Sequence, residues 1–261
     1  MRYGVVGYGV VGKHMAQDVI SARQYVSVYD PGYPEFSTDG ARRAINECHC
    51  AFVCVPTPLE AEGGQLDMRF VYDVFTWLKV PVAIIRSALA IHTADNLVAR
   101  GHPVVVSPEF IGEGVRPPYV AMSQPPFMIL GGTKPDTARA IQCLSRLYNS
   151  ECEMITMSAK EAEIAKLVEN YFLALKVTWA NEVYEMCRFH NASYDAVMGG
   201  LVHDYRIGRS HTHVYADNRG WSSKCLNKDL PGLLGQVGAS IAPLLAAVIR
   251  TNDWHKGRSE K

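Results

Sequence analysis

A short apolar run, Tyr3-Gly4-Val5-Val6, passes without a break into Gly7-Tyr8-Gly9-Val10-Val11-Gly12, and helix-compatible sequence follows from Lys13 to Ala22. Strand, glycine loop and helix in that order constrain the fold more than anything else in the chain. Gly7 permits a tight turn, Gly9 lets the backbone approach a pyrophosphate, and Gly12 allows helix to pack closely on strand, with phosphate received at the helix N-terminus. A second strand, Tyr25 to Tyr29, ends in Asp30, where an acidic side chain is placed to hold the ribose hydroxyls of a dinucleotide. These residues predict a Rossmann-type unit with Gly7, Gly9, Val10, Val11, Gly12 and Asp30 at the cofactor. Asp30 repels a 2′-phosphate and no arginine follows it directly, so NAD is expected rather than NADP.

Further strand-like runs at Ala51 to Val55, Val82 to Ile85, Val104 to Val106 and Phe127 to Leu130 alternate with helix-compatible segments. The fold class expected is α/β: a doubly wound, mainly parallel sheet followed by a long helix and a small all-helical domain. The pattern changes near Glu153 to Ser158. From Ser158 to His190 neither glycine nor proline occurs, and Ile164, Leu167, Val168, Tyr171, Leu175 and Val183 supply the apolar spacing of one helix. Residues 1–155 are therefore read as the nucleotide-binding domain and 156–261 as a helical domain. The apolar length of the helix exceeds what one small domain buries, and predicts a homodimer through residues 158–190.

Composition mainly excludes. Twenty-six basic and 26 acidic residues are interspersed, with no basic run before Lys256 to Lys261, so nucleic acid is not an expected partner. The apolar stretch Leu233 to Ile249 is interrupted by Gln236, Ser240 and Pro243 and reads as a core helical pair, not a membrane span. Seven cysteines, an odd number without a disulfide spacing, and an N-terminus that enters a strand at once indicate a reducing, cytoplasmic setting. Cys48, Cys50 and Cys54 share parity on one strand and are expected to pack on one buried face. They and His203, His211 and His213 lack the spacing of a familiar metal site, and none is expected.

On the long helix, Glu163, Lys166 and Asn170 follow at intervals of three and four and share a face, with Lys166 and Asn170 about 6 Å apart along the axis. A lysine and an amide aimed at one point suit an oxyanion or a positioned water. Farther on stands Cys225-Leu226-Asn227-Lys228-Asp229. A nucleophilic thiol beside a hydride acceptor can hold an aldehyde covalently while it is oxidised a second time.

Ordered strings now make a resemblance specific: the glycine loop with Asp30; Val55-Pro56-Thr57-Pro58; Ser107-Pro108-Glu109-Phe110 through Glu113-Gly114; Glu163 to Lys166 with Asn170; Phe172 to Lys176 leading to Asn181-Glu182; Asp204 with Arg206-Ile207-Gly208; Cys225 with Lys228-Asp229; and Pro243 to Asn252. Over nearly its whole length the chain resembles the nucleotide-sugar 6-dehydrogenases, the group acting on UDP-glucose and UDP-N-acetylmannosamine. The resemblance implies oxidation of a primary alcohol to a carboxylate with two NAD, through a thiohemiacetal and a thioester. It makes Cys225 the nucleophile, Lys166 and Asn170 the oxyanion support, Asp229 the group that orients water, and Glu109 the aid to hydrolysis. It also brings Pro56, Thr57, Ser87 and Glu113 to the cofactor, and Phe110, Ile111, Lys166, Asn170 and Arg206 to a small-molecule substrate.

The chain departs from the family where a glycine run before the cysteine becomes Trp221-Ser222-Ser223-Lys224, putting side chains where the loop would approach a sugar, and where a Ser-Thr pair becomes Ser87-Ala88. It also ends soon after Asn252, where family members continue into a second Rossmann-like, UDP-gripping domain; it reads as a shortened form. Two other readings stand beside the first. A short hydroxyacid dehydrogenase would use Lys166 for one hydride transfer and no cysteine. A non-catalytic NAD-binding module would regulate a partner enzyme.

Overall fold

The structure, a computed structural model, describes residues 1–60, 64–110 and 125–259. They form two compact units: residues 1–60, 66–110 and 125–166, and residues 64–65 and 167–259.

The first unit is built on a seven-stranded sheet of β1 (Arg2–Val6), β2 (Tyr25–Tyr29), β3 (Cys50–Val53), β4 (Ala83–Ile85), β5 (Val104–Val106), β6 (Phe127–Gly132) and β7 (Glu153–Met157), in the order β2-β1-β3-β4-β5-β6-β7. All neighbours are parallel except β5 and β6. Helices α1 (Val10–Ser21), α2 (Asp39–Asn46), α3 (Arg69–Phe75), α4 (Thr93–Ala99) and α5 (Lys134–Leu144) make the connections. Each residue of β3, β4 and β5 is buried, which explains their unbroken apolar runs: a strand covered on both faces has no reason to alternate. Strand order reverses between β1 and β3, so a crevice opens at the carboxyl end of β1, where open α/β sheets bind ligands.

Glu153–Met157, where the sequence pattern marks only a change of domain, is the edge strand β7, parallel to β6. None of its residues is fully buried, so no apolar period announced it. Cys50 and Cys54 pack on one core cluster as their parity predicts. Cys48, however, precedes the strand, in a turn where its thiol donates to the Ala44 carbonyl. None of the seven cysteines is joined in a disulfide.

One helix, α6 (Ala159–Phe189), leads from the first unit into the second, which adds α7 (Tyr194–Leu201), α8 (Lys224–Val237) and α9 (Pro243–Lys256). Ser158 and Glu161 start α6 as a capping box: the Glu161 carboxylate accepts from Ser158 N at 2.7 Å, and Ser158 Oγ accepts from Glu161 N at 3.3 Å. Asn191 in the left-handed region, φ 53°, follows its end. The apolar spacing misassigned part of one face. Leu167 and Ala174 are fully buried, but Ile164 and Val168 are exposed, because the inward turn is taken by the buried polar residues Glu163 and Asn170. Among the described residues no helix is long and apolar enough to cross a membrane.

Candidate active site

The glycine loop turns as its sequence requires. Gly7 sits at φ 90°, its N–H donating to Tyr29 O at 2.9 Å, and a Cβ there would meet Cys54 O at 2.7 Å. At Gly12 an added Cβ would stand 1.8 Å from Gly7 O, so only glycine lets α1 lie this close to the loop. Gly9 differs. It is the N-cap of α1, and a Cβ there would meet nothing within 4 Å. Open space before a helix N-terminus without an acidic first turn fits a pyrophosphate. Val10 and Val11 form that first turn. Asp30 closes the rim, accepting from Tyr8 N at 2.6 Å and Gly32 N at 2.7 Å; each oxygen keeps a lone pair for a ribose hydroxyl. Pro56 and the buried Thr57 follow β3, and Ser87 follows β4. Ser87 Oγ donates to Val55 O at 2.6 Å, so its proton is committed to backbone and only its oxygen remains for a cofactor.

Beyond β5, the same unit carries Glu109. Its Oε2 accepts from Arg86 Nη2 at 2.6 Å and its Oε1 from Phe110 N at 3.0 Å. Lys166 Nζ lies 4.8 Å from the centre of the Phe110 ring. Glu163, 1 % exposed, accepts from His92 N at 2.7 Å and Ala94 N at 2.8 Å, which ties α6 to the start of α4. Burial pushes its carboxyl up to about 7 although both backbone donors pull the other way.

In the second unit, Asn170 Nδ2 donates to Asp229 Oδ2 at 2.7 Å, and Lys228 Nζ to Asp229 Oδ1 at 2.6 Å. Asp229 is 1 % exposed, and both its oxygens are held. Cys225 stands one turn before it, in the first turn of α8 and half-buried, where the helix N-terminus favours negative charge. The residues ahead of Cys225 do not fill space as their sizes lead one to expect. Trp221 is buried, its Nε1 donating to Thr178 Oγ1 at 3.1 Å while Asn252 Oδ1 accepts from its N–H at 2.7 Å. Ser223 caps α8, its Oγ accepting from Leu226 N at 3.2 Å. Arg206 lies in the loop beyond α7, exposed and engaged with Asp204 Oδ2 at 2.5 Å.

The predicted residues thus come together in three groups: the glycine loop with Asp30; Glu109 with Phe110 and Lys166; and Asn170 with Asp229. Glu113 and Ile111 lie outside the described residues. Sequence reasoning missed Arg86, whose only signal was a charge set at the carboxyl end of an unbroken apolar strand.

Residues 22–151 match the UDP-glucose/GDP-mannose dehydrogenase family's NAD binding domain, and residues 160–254 match its central domain. A curated relative, UDP-glucose 6-dehydrogenase 4 of Oryza sativa subsp. japonica, is 25% identical over 90% of this chain and 55% of its own length. The chain spans about half the length of the curated relatives it matches. Among solved structures, a UDP-glucose dehydrogenase from Pyrobaculum islandicum superposes with a TM-score of 0.80 at 23% identity, covering 97% of this chain and 68% of that one. The fold is shared as well by Mycobacterium tuberculosis 3-hydroxyisobutyrate dehydrogenase, with a TM-score of 0.73 at 18% identity over 99% of this chain and 94% of that one. Glycine loop, capped thiol and buried carboxylate therefore stand in a chain that belongs to the UDP-glucose/GDP-mannose dehydrogenase family, carrying its NAD-binding domain and its central domain.

Proposed function

We propose that the chain oxidises the primary alcohol of a nucleotide sugar of the UDP-glucose kind to a carboxylate, through covalent intermediates on Cys225. The observation that carries the reading is Asp229, buried and gripped by Asn170 and Lys228, one helical turn from a thiol at a helix N-terminus. Curated relatives are named UDP-glucose 6-dehydrogenases, which supports a sugar of that kind as the substrate.

Bound NAD supplies the hydride acceptor, one for each of two oxidations. Lys166 and Asn170, one turn apart on α6, stabilise the substrate oxygen as it loses its proton and later as it becomes the oxyanion of an adduct. Asp229 holds the water that receives the proton. The Cys225 sulfur then bonds to the aldehyde carbon, and the adduct is oxidised to a thioester. Water attacks the thioester carbon, its proton passes to Glu109, and the carbon–sulfur bond breaks with the electron pair on Cys225. Phe110 lines the sugar side, and Arg206 meets the substrate's anionic part. Residues 156–261 serve in this reading as the domain of catalysis and of dimerisation through the long helix.

NADH formation with UDP-glucose, run to exhaustion of the sugar, tests this. Two NADH per sugar, lost in Cys225→Ser, is the expected result. One NADH per substrate, with Cys225→Ser fully active, would replace it by single-step hydroxyacid oxidation through Lys166. Absence of turnover despite NAD binding would leave a binding module.

A further inference from the structure

Arg86 follows β4 and is 4 % exposed. Its guanidinium is a divided fork. Nη1 donates to Ser107 O at 2.6 Å and to Ser107 Oγ at 2.8 Å, while Nη2 donates to Glu109 Oε2 at 2.6 Å. Ser107 is fully buried at the end of β5, so one prong is anchored on backbone that cannot shift. With Phe110 N on the other oxygen, both ends of the Glu109 carboxylate are fixed. A buried ion pair is a weak source of net stability; what this one supplies is a carboxylate of set orientation and charge.

We propose that Arg86 is a positioning residue for the hydrolytic half of the reaction, holding Glu109 ready to receive the proton of the water that attacks the thioester. The inference rests on the functional reading above. Other titratable groups lie in the field of the pair: Asp18 of α1, Cys54 beyond β3, Tyr148 and Cys152 beyond α5, with Lys166 of α6 over the adjoining Phe110 ring. Of these carboxylates, Glu109 is the one that Arg86 holds by a hydrogen bond as well as by charge. Burial pushes the Cys54 thiol up to about 12, keeping it neutral, and raises Asp18, whose Oδ2 already accepts from Tyr148 OH at 2.6 Å.

The test uses the whole chain with NAD and UDP-glucose, and reads NADH release together with the Cys225 acyl adduct by intact-protein mass spectrometry after quenching. Glu109→Gln is expected to accumulate the thioester. Arg86→Met is expected to accumulate the same species, with deacylation slowed by about 10²-fold, the cost of a misplaced catalytic group. Arg86→Lys restores part of the rate. Removing the cation also moves the acid limb of deacylation upward by about 1–3 pH units, a change that a purely structural role would not produce. Arg86→Met/Glu109→Gln deacylates no more slowly than Glu109→Gln alone, because both lesions act on one group. If Arg86→Met does not fold, Ser107→Ala, which removes one anchor of the fork, is expected to give the same adduct and a smaller slowing. Wild-type deacylation in Arg86→Lys and Ser107→Ala, with Glu109→Gln still blocked, overturns the inference alone. Free turnover by Glu109→Gln overturns the role of Glu109 and the inference with it, and absence of NADH from the wild type overturns the functional reading.

Discussion

Glu163 is a carboxyl placed where water cannot reach it, held by two backbone N–H groups at the start of α4. Burial is the larger effect and raises its proton affinity to about 7 from an ordinary 4.5. Below pH 4.5 folded and unfolded chains both carry the proton, so this group adds no pH dependence. Between about 4.5 and 7 the unfolded chain has lost the proton while the folded one keeps it, and stability falls as pH rises, by at most about 1.4 kcal/mol per unit. Above 7 both are ionised and the loss is complete. Glu163→Gln should remove that slope, as urea melts across pH 4 to 8 would reveal; an unchanged slope would assign it elsewhere. The group sits one turn before Lys166 on α6.

The helix that presents Cys225 starts on Ser223, whose hydroxyl accepts from Leu226 N. In the family pattern this position is glycine, and the change looked at the sequence level like an obstruction. In the folded chain it is a cap, and Trp221 turns into the helical core. Ser223→Ala is expected to cost about 1 kcal/mol and Ser223→Gly only a few tenths, because a glycine N-cap leaves water free to solvate the orphan donors. Chemical denaturation measures the difference; equal losses in the two variants would deny the cap. Elements of this kind mark how far the sequence could be read. The run from Tyr3 to Asp30 was legible because Gly7 and Gly12 each answer a local steric demand and Gly9 leaves open space at the start of α1. The span of α6 was legible because no breaker interrupts 31 residues. β7 was not, since an edge strand that buries little leaves no period, and Arg86 was not, since only the fold tells a buried arginine from a surface one. Among the candidate groups, Asn170 and Asp229 were each readable as family pattern, while the hydrogen bond between them and the grip of Lys228 on the carboxylate's second oxygen emerge only from the fold.

At the scale of the molecule, the doubly wound sheet followed from alternating strands and helices, whereas the antiparallel β6 carried no mark in its sequence. What the chain leaves uncovered carries the last prediction. Ile164, Val168 and Phe172 repeat every four residues along α6 and are 37%, 43% and 58% exposed, an apolar ridge where a solvated helix would place charge. Two copies related by a two-fold axis would lay such ridges against each other, each covering the same patch of its partner, and this is the homodimer proposed for α6. Burying the exposed part of a phenylalanine ring that is already partly covered contributes roughly 1–1.7 kcal/mol, and symmetry counts it twice. Phe172→Glu thus removes about 2–3.5 kcal/mol of association, before the further penalty of two like charges brought together, and raises the dimer dissociation constant by at least about 10-fold. Sedimentation equilibrium over a range of concentrations distinguishes the outcomes: a dimer in the wild type that becomes a monomer in Phe172→Glu with unchanged helical content supports the ridge as its interface. A wild-type mass of one chain at every concentration removes the dimer, and a dimer untouched by the substitution moves its interface off α6.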